Sequence, residues 1–316
     1  MLPYRHIIFE TIGELKDMTE KNENSSEIKN FCLSPGLFRL DGGAMYGIIP
    51  RPLWEKVSPP DALNRIDLDL RLWLIQTSDK NILVDTGIGD YHGDKFDGRF
   101  DVRQDKDPLT QTLASLGLHP SDITDLVLSH LHFDHVGGLT KEEDGKLVNV
   151  FENATLHIHK KHWEYSKNPT QRDMGSFHYE TFAPIVEQCD KAHKVNWLEG
   201  EDGVILNLCP GNDLNFKCSH GHTPFLAHPY SDEFIYLADL IPTSNHVSIP
   251  WVMGYDISPG ITTENKIAFL DMIIEKDLKL IFEHDTKYWG AKVSKDPKKG
   301  YYCSELFDKE ASISQL

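Results

Sequence analysis

The stretch Val127–Gly138, VLSHLHFDHVGG, runs from an apolar strand straight into three histidines, an aspartate and a glycine pair. Side chains two apart on an extended backbone point the same way, so His130 and His132 can present two nitrogens to one cation. Asp134 and His135 follow in a turn, for which Gly137 and Gly138 supply unusual dihedrals. They offer a carboxylate and a nitrogen to a second cation. Neutral imidazole suits zinc and similar borderline ions, and carboxylate adds a hard oxygen ligand.

Three further apolar runs end in the same kind of side chain: NFKCSHGH at His222, EFIYLAD at Asp239 and LKLIFEH at His284. Strand ends at one edge of a sheet converge, and sites gather there in layered α/β folds. The four segments deliver five histidines and two aspartates, a set sufficient for two metals.

The rest of the chain supplies the elements such an edge needs. LDLRLWLIQT, with Leu68, Leu70, Leu72 and Leu74, then SDKN, then ILVDTG, spells strand, turn, strand. DPLTQTLASLGL predicts a helix with Asp107 as N-cap, Pro108 in its first turn and Gly117 at its end. A second helix is expected over HYETFAPIVEQCDKA, kinked or interrupted at Pro184. A third begins near Thr262 with Ile267, Leu270 and Ile274 on its inner face. TEKNENSSEIKN, residues 19–30, reads as a polar surface insertion. No solenoid repeat or linker divides the 316 residues, so one domain mixing sheets and helices is expected.

Charge and cysteine usage narrow the function classes. A formal charge of −17 argues against nucleic acid as a partner, because that affinity rests on cationic contacts to phosphates. The five cysteines have no CxxC spacing and read as scattered thiols. The N-terminus lacks a basic region followed by a long apolar run, and no window approaches bilayer length. The expected address is the cytoplasm, with no membrane partner.

Taken in order, VDTG with Asp85, HLHFDH, GHTP, YLAD and FEHD resemble the motifs of the metallo-β-lactamase-fold hydrolases, over about Leu33 to Asp285. The resemblance implies an αββα sandwich of two mixed sheets with helices on the outer faces. It implies that His130, His132 and His222 hold one metal, that Asp134, His135 and His284 hold a second, and that Asp239 bridges them. Asp85 would orient a ligand histidine, as metal sites generally require. The cofactor is then two divalent transition-metal ions, zinc by default, with manganese or iron fitting the same ligands. Flavodiiron oxidoreductases carry a glutamate where His132 stands, and the true β-lactamases lack the aspartate represented by Asp239. The remaining branch resembles lactonases, organophosphate hydrolases, glyoxalase II-like thioesterases and phosphodiesterases.

Two metals sharing a water make hydroxide available near neutral pH, so no serine or cysteine nucleophile is needed, and no GxSxG motif is present. Asp134 would serve as general acid to the leaving group, as resembling lactonases suggest. The expected substrate is a small, apolar, ester-like molecule, a lactone first, with a phosphotriester or thioester as the alternative. A metal-binding sensor without turnover is the reading from another class. A monomer or a homodimer is expected.

DGGAMYGIIPRPLWEK, within a substrate loop near 41–60, resembles that of the lactonase and organophosphate-hydrolase group. Met45, Tyr46, Ile49, Pro50 and Trp54 would form an apolar wall over the metals. His246 and Trp251 are placed in the same pocket. Two departures stand out. Phe225 occupies the last position of the usual GHTPG, and Pro242 stands where acyl-homoserine lactonases place a carbonyl-holding tyrosine. Phe225 is expected to project towards the substrate. His157, His159, His162 and His220 are read as structural or flanking histidines.

Overall fold

The computed structural model describes residues 28–309 and 311–316. Residues 19–27 of the polar segment lie outside the described residues, while Lys29 and Asn30 open a strand, Lys29–Leu33, rather than extending an insertion.

Two seven-stranded sheets face each other. The first runs, edge to edge, Val195–Leu198, Thr155–His159, Asp125–Val127, Asn81–Val84, Leu72–Gln76, Lys29–Leu33 and Ile313–Gln315. Its first four strands are mutually parallel and the remainder antiparallel. The second comprises Asp202–Cys209, Asn212–Ser219, Leu226–Tyr230, Phe234–Tyr236, Lys279–Ile281, Tyr288–Asp296 and Gly300–Asp308. It is antiparallel except where Phe234–Tyr236 meets Lys279–Ile281.

Alternation along the strands builds three apolar layers. Leu72 and Leu74 face outward, in the layer that also holds Leu83, Leu126 and Leu156 and, from the helix Tyr179–Lys191, Phe182 and Val186. Trp73 and Ile75 face inward, where they meet Phe216, Leu226, Phe234 and Tyr236 of the other sheet. Ile235, Leu280 and Phe282 cover the far side of the second sheet beneath the helix Pro259–Glu275. Burying each such large apolar side chain contributes ~1.5–3 kcal/mol. The result is the αββα sandwich expected from the motifs. Among the described residues no helix is long and apolar enough to cross a membrane.

The hairpin at SDKN forms as expected, closed by Thr77 N–H donating to the Lys80 carbonyl at 2.9 Å. Several local expectations are corrected. Asp107 stands at the N-cap of Pro108–Ala114, but at φ +51° its side chain makes no cap bond. Helix Tyr179–Lys191 runs through Pro184, which sits in its second turn. The carbonyl it leaves unpaired belongs to Glu180, in the exposed first turn, where water can satisfy it. The third helix starts at Pro259 and buries Phe269, Leu270 and Ile273, leaving Ile267 and Ile274 exposed.

Parallel register explains why ligands converge. Val84 and Val127 are paired, so Asp85 and the turn carrying His130 leave the first sheet at one edge. Tyr236 and Ile281 are paired, and Asp239 and His284 each follow three residues later.

Candidate metal centre

The ligand turn owes its shape to close packing. Gly137 has φ −57°, an ordinary helical value, so the expectation of unusual dihedrals at the glycine pair fails. A Cβ on Gly137 would strike the Ile88 carbonyl, and one on Gly138 the Thr86 carbonyl. Glycine is needed there for contact with the Asp85–Ile88 segment. Thr86 N–H and Oγ–H both donate to the His135 carbonyl, at 2.8 Å each, pinning the turn.

The buried side chains His130, His132, His222 and Asp239 form one group of converging ligand atoms, and Asp134, His135 and His284 form another. Asp239 lies between them: Oδ2 is 3.0 Å from His222 Nε2 and 3.3 Å from His135 Nε2, and Oδ1 is 3.2 Å from His284 Nε2. His222 Nε2 and His132 Nδ1 stand 3.1 Å apart. His130 Nε2, His135 Nε2 and Asp239 Oδ1 have no hydrogen-bond partner among the described residues. Buried polar atoms left unpaired are costly, and this cluster of nitrogen and oxygen donors fits divalent cations. Ala238, at φ +41°, holds strained backbone beside Asp239.

The opposite nitrogens of these rings are fixed from behind. Asp85 Oδ2 lies 3.0 Å from His135 Nδ1, while Asp85 also accepts from Ser129 N–H at 2.7 Å and Ser129 Oγ at 2.6 Å. Ser129 Oγ in turn lies 3.0 Å from His130 Nδ1. Asp256 Oδ1 takes His222 Nδ1 at 2.9 Å and receives Thr262 Oγ–H on its other oxygen at 2.6 Å. His284 Nδ1 meets the Asp69 carbonyl at 2.8 Å. These contacts set the tautomers so that Nε2 of His135, His222 and His284 faces the centre. Glu283, fully buried, brings Oε2 to 3.0 Å from His135 Nδ1.

Sequence reading had no role for Ser129, Asp69, Asp256 or Glu283. Ser129 and Glu283 each stand one residue before a ligand and were legible as neighbours. Asp256 lies 34 residues beyond His222 in no motif, and Asp69 acts through its backbone.

Burial opposes charge on Asp239, yet the imidazoles of His222 and His135 hold it well below the usual carboxylate range. Burial pushes His130 and His132 well below the usual imidazole value, and neighbouring imidazoles add to this. Burial also opposes charge on His222 and His284, but Asp239 with Asp256 raises the first to about 10, and Glu283 with Asp239 raises the second to about 9. Protons and cations therefore compete for the same nitrogens.

The proposed wall residues divide. Met45, Tyr46 and Trp54 are buried with Phe38, Ile66 and Phe133, and Ile49 and Trp251 pack partly exposed against them. Pro50 is exposed. Tyr46 is stacked between Trp54 (5.5 Å) and His246 (5.1 Å). His246 itself bonds Thr243 Oγ1 at 2.8 Å and the Met45 carbonyl at 2.9 Å, so both ring nitrogens are engaged. Pro242 accepts His284 N–H on its carbonyl at 2.9 Å.

Phe225 turns elsewhere. Its ring stacks on His159 at 4.8 Å, meets His220 edge-on at 4.7 Å and packs against the core between the sheets. Its φ is +57°, which accounts for the usual glycine by backbone conformation rather than open space. Aromatic rings packed on the ligands include Phe177, edge-on to His132 at 4.7 Å, and Phe38, edge-on to His284 at 5.5 Å, while Phe133, between His132 and Asp134 in the chain, stacks on His178 at 5.4 Å and meets Phe96 at 5.4 Å. Phe133 lies inside HLHFDH itself and was legible there.

His157 and His159 are engaged by Asp125 and the Gly200 carbonyl, both at 2.9 Å. His162 accepts Leu131 N–H at 2.9 Å and meets the Pro224 carbonyl at 2.7 Å, tying two ligand turns together.

An αββα sandwich with this centre on one edge defines a metal-dependent hydrolase. The chain belongs to the metallo-beta-lactamase superfamily, whose family model matches residues 72–284. It is 26% identical over 283 residues to the N-acyl homoserine lactonase AiiB of Agrobacterium fabrum, covering 83% of this chain and 95% of that one. A probable metal-dependent hydrolase from Staphylococcus aureus superposes with a TM-score of 0.77 at 26% identity, covering 90% and 98% of the two chains. AidC, a dizinc quorum-quenching lactonase, superposes with a TM-score of 0.66 at 23% identity, covering 90% and 96%, and shares the fold.

Proposed function

We propose that the chain is a dinuclear hydrolase that opens small, apolar, ester-like substrates, lactones first. The observation that carries this reading is the position of the Asp239 carboxylate, with one oxygen facing His222 and the other facing His284. His130, His132 and His222 would hold one cation and Asp134, His135 and His284 the other, with Asp239 available to both. Zinc suits the ligands, and manganese and iron suit the same nitrogen and oxygen donors. Such a pair, when bound, would supply the acidity that makes water a nucleophile near neutral pH and would stabilise negative charge on the reacting oxygen.

The chain's own residues do the rest. Asp85, Asp256 and the Asp69 carbonyl hold the ligand rings in place before substrate arrives. Asp134 takes the proton given up by the attacking water and delivers it to the departing alkoxide as the ring C–O bond breaks. Phe133, Phe177 and His178 offer apolar surface to an acyl or aryl group next to the ligands. The lactonase names of the curated relatives support the choice of substrate class.

The test is a panel of lactones, aryl esters, thioesters and phosphotriesters, run on metal-replete and chelator-treated protein. Lactone opening should be the fastest reaction and should vanish with the metal. Faster thioester or phosphotriester cleavage would move the substrate assignment. No turnover on any of them by metal-replete protein would favour a sensor.

A further inference from the structure

A cavity of about 690 Å³ lies beside the metal centre, within the size range of small-molecule sites. It is bounded by the hairpin Tyr288–Asp296/Gly300–Asp308, the turn at 243–248, the strand Arg65–Asp69 and the loop at 56–58. Of the seven proposed ligands only His284 lines it, so it is separate from the space directly over the metals.

Its chemistry is one-sided. The lining carries two carboxylates, and both are already surrounded by donors. Asp67 is bonded by Arg39 Nε at 2.7 Å and by Arg103. Asp285 accepts Ser244 N–H at 2.9 Å and Oγ–H at 2.6 Å on one oxygen, and Lys287 and Tyr288 N–H, both at 2.9 Å, on the other. The two ammonium groups of the lining are differently placed. Lys56 stands on the exposed loop, and Lys287 Nζ lies over the Tyr288 ring, 4.8 Å from its centroid, with Asp308 and Asp285 near enough to favour its charged form. The same lining carries Trp251, Val247, Tyr302 and Leu306, with the last two exposed. Such a lining has ammonium donors and apolar surface to offer, and both of its carboxylates are already occupied.

We propose that this cavity is a second binding site, for a small organic carboxylate with an apolar or aromatic body, seated against His284. In a chain of charge −17, an anion is repelled by the molecule as a whole. Selectivity therefore has to come from the two local ammonium groups together with burial of the apolar body. The site stands independently of the hydrolase reading, because binding requires neither the metals nor turnover.

The test is calorimetric titration of the purified full chain with phenylacetate, and with phenylacetamide as the neutral control, in metal-loaded and chelator-treated protein. Saturable binding of one phenylacetate per chain is expected in both forms, with quenching of tryptophan fluorescence. The amide should bind at least about tenfold more weakly. The exposed double variant Lys56→Ala/Lys287→Ala should lose phenylacetate binding to a similar extent, with melting temperature and metal content unchanged. Equal binding of acid and amide would overturn the proposal. So would phenylacetate binding that disappears on chelation and ignores the lysine variant, since the carboxylate would then sit on the metals. Absence of binding, with a sedimenting mass of two chains that falls to one in Leu306→Arg, would instead make the cavity a contact between copies.

Discussion

Two carboxylates meet one ring nitrogen at His135: Asp85 Oδ2 and Glu283 Oε2 each lie 3.0 Å from Nδ1. Asp85 is also held by Ser129, whereas neither oxygen of Glu283 makes a hydrogen bond among the described residues, and burial pushes its carboxyl up to about 7 against the pull of His135 and His284. Glu283→Gln keeps the shape and removes the charge. It should weaken binding of the second metal by about ten- to a hundredfold in a chelator competition, leaving the first metal and the circular dichroism as they were. Equal affinities in variant and parent would contradict this. Phe225 gives the opposite lesson about reading a motif. A phenyl ring replacing a glycine suggests a filled space, and the sequence placed that space over the metals. The structure shows a left-handed backbone and a ring stacked on His159, properties of a turn that no motif spells out. Phe225→Ala and Phe225→Gly both lose the ring, but only glycine relieves the strained φ. The alanine variant should therefore be the less stable by about 1 kcal/mol in denaturant titration, with neither variant changing the substrate profile. Identical stabilities would argue against the backbone explanation.

At the level of elements, the strands were legible because alternation and ligand-bearing ends coincide, as in Asp125–Val127 and Lys279–Ile281. The helix Pro259–Glu275 was found but turned to the wrong face. Ile267, Leu270 and Ile274 make a tidy apolar stripe, whereas the buried face is Thr262, Lys266, Phe269, Leu270 and Ile273. Two polar residues disguise it, and both are occupied by what lies beneath. Thr262 bonds Asp256, and Lys266 Nζ donates to the carbonyls of Ser248, Ile249 and Trp251 at 2.7, 3.2 and 2.9 Å. Such pairings depend on a distant loop, so local periodicity cannot announce them. Lys266→Met preserves much of the packing and leaves three carbonyls without their donor. It should cost about 2–4 kcal/mol of stability and raise hydrogen exchange around 248–252. An unchanged melting temperature and exchange pattern would show that the ammonium does not hold the loop.

The whole molecule should be acid-labile for reasons beyond its metals. Burial pushes His162 and His228 down to about 3 and His246 to about 4, all below the ordinary imidazole value of 6.5. Their unfolded forms take up protons as pH falls through 6.5 while the folded forms do not. The contribution of these three rings is thus full above that value and is lost towards pH 4, at about 4 kcal/mol per pH unit once all three unfolded rings are charged. Equilibrium denaturation between pH 7 and 4.5 on chelator-treated protein checks this, and a flat profile would contradict it. The sandwich and its ligand edge were legible because ordered motifs at strand ends constrain a fold more strongly than any single propensity. The supports behind the ligands were not, because Asp256 and the Asp69 carbonyl arrive from segments without a motif. The central claim is that seven converging side chains hold a pair of metals. Metal content of the purified chain, measured by mass spectrometry after saturation with zinc and removal of free ion, tests it most directly. Two equivalents per chain, falling to one or fewer in Asp239→Ala, are the predicted result, and one equivalent in the parent protein would contradict the account.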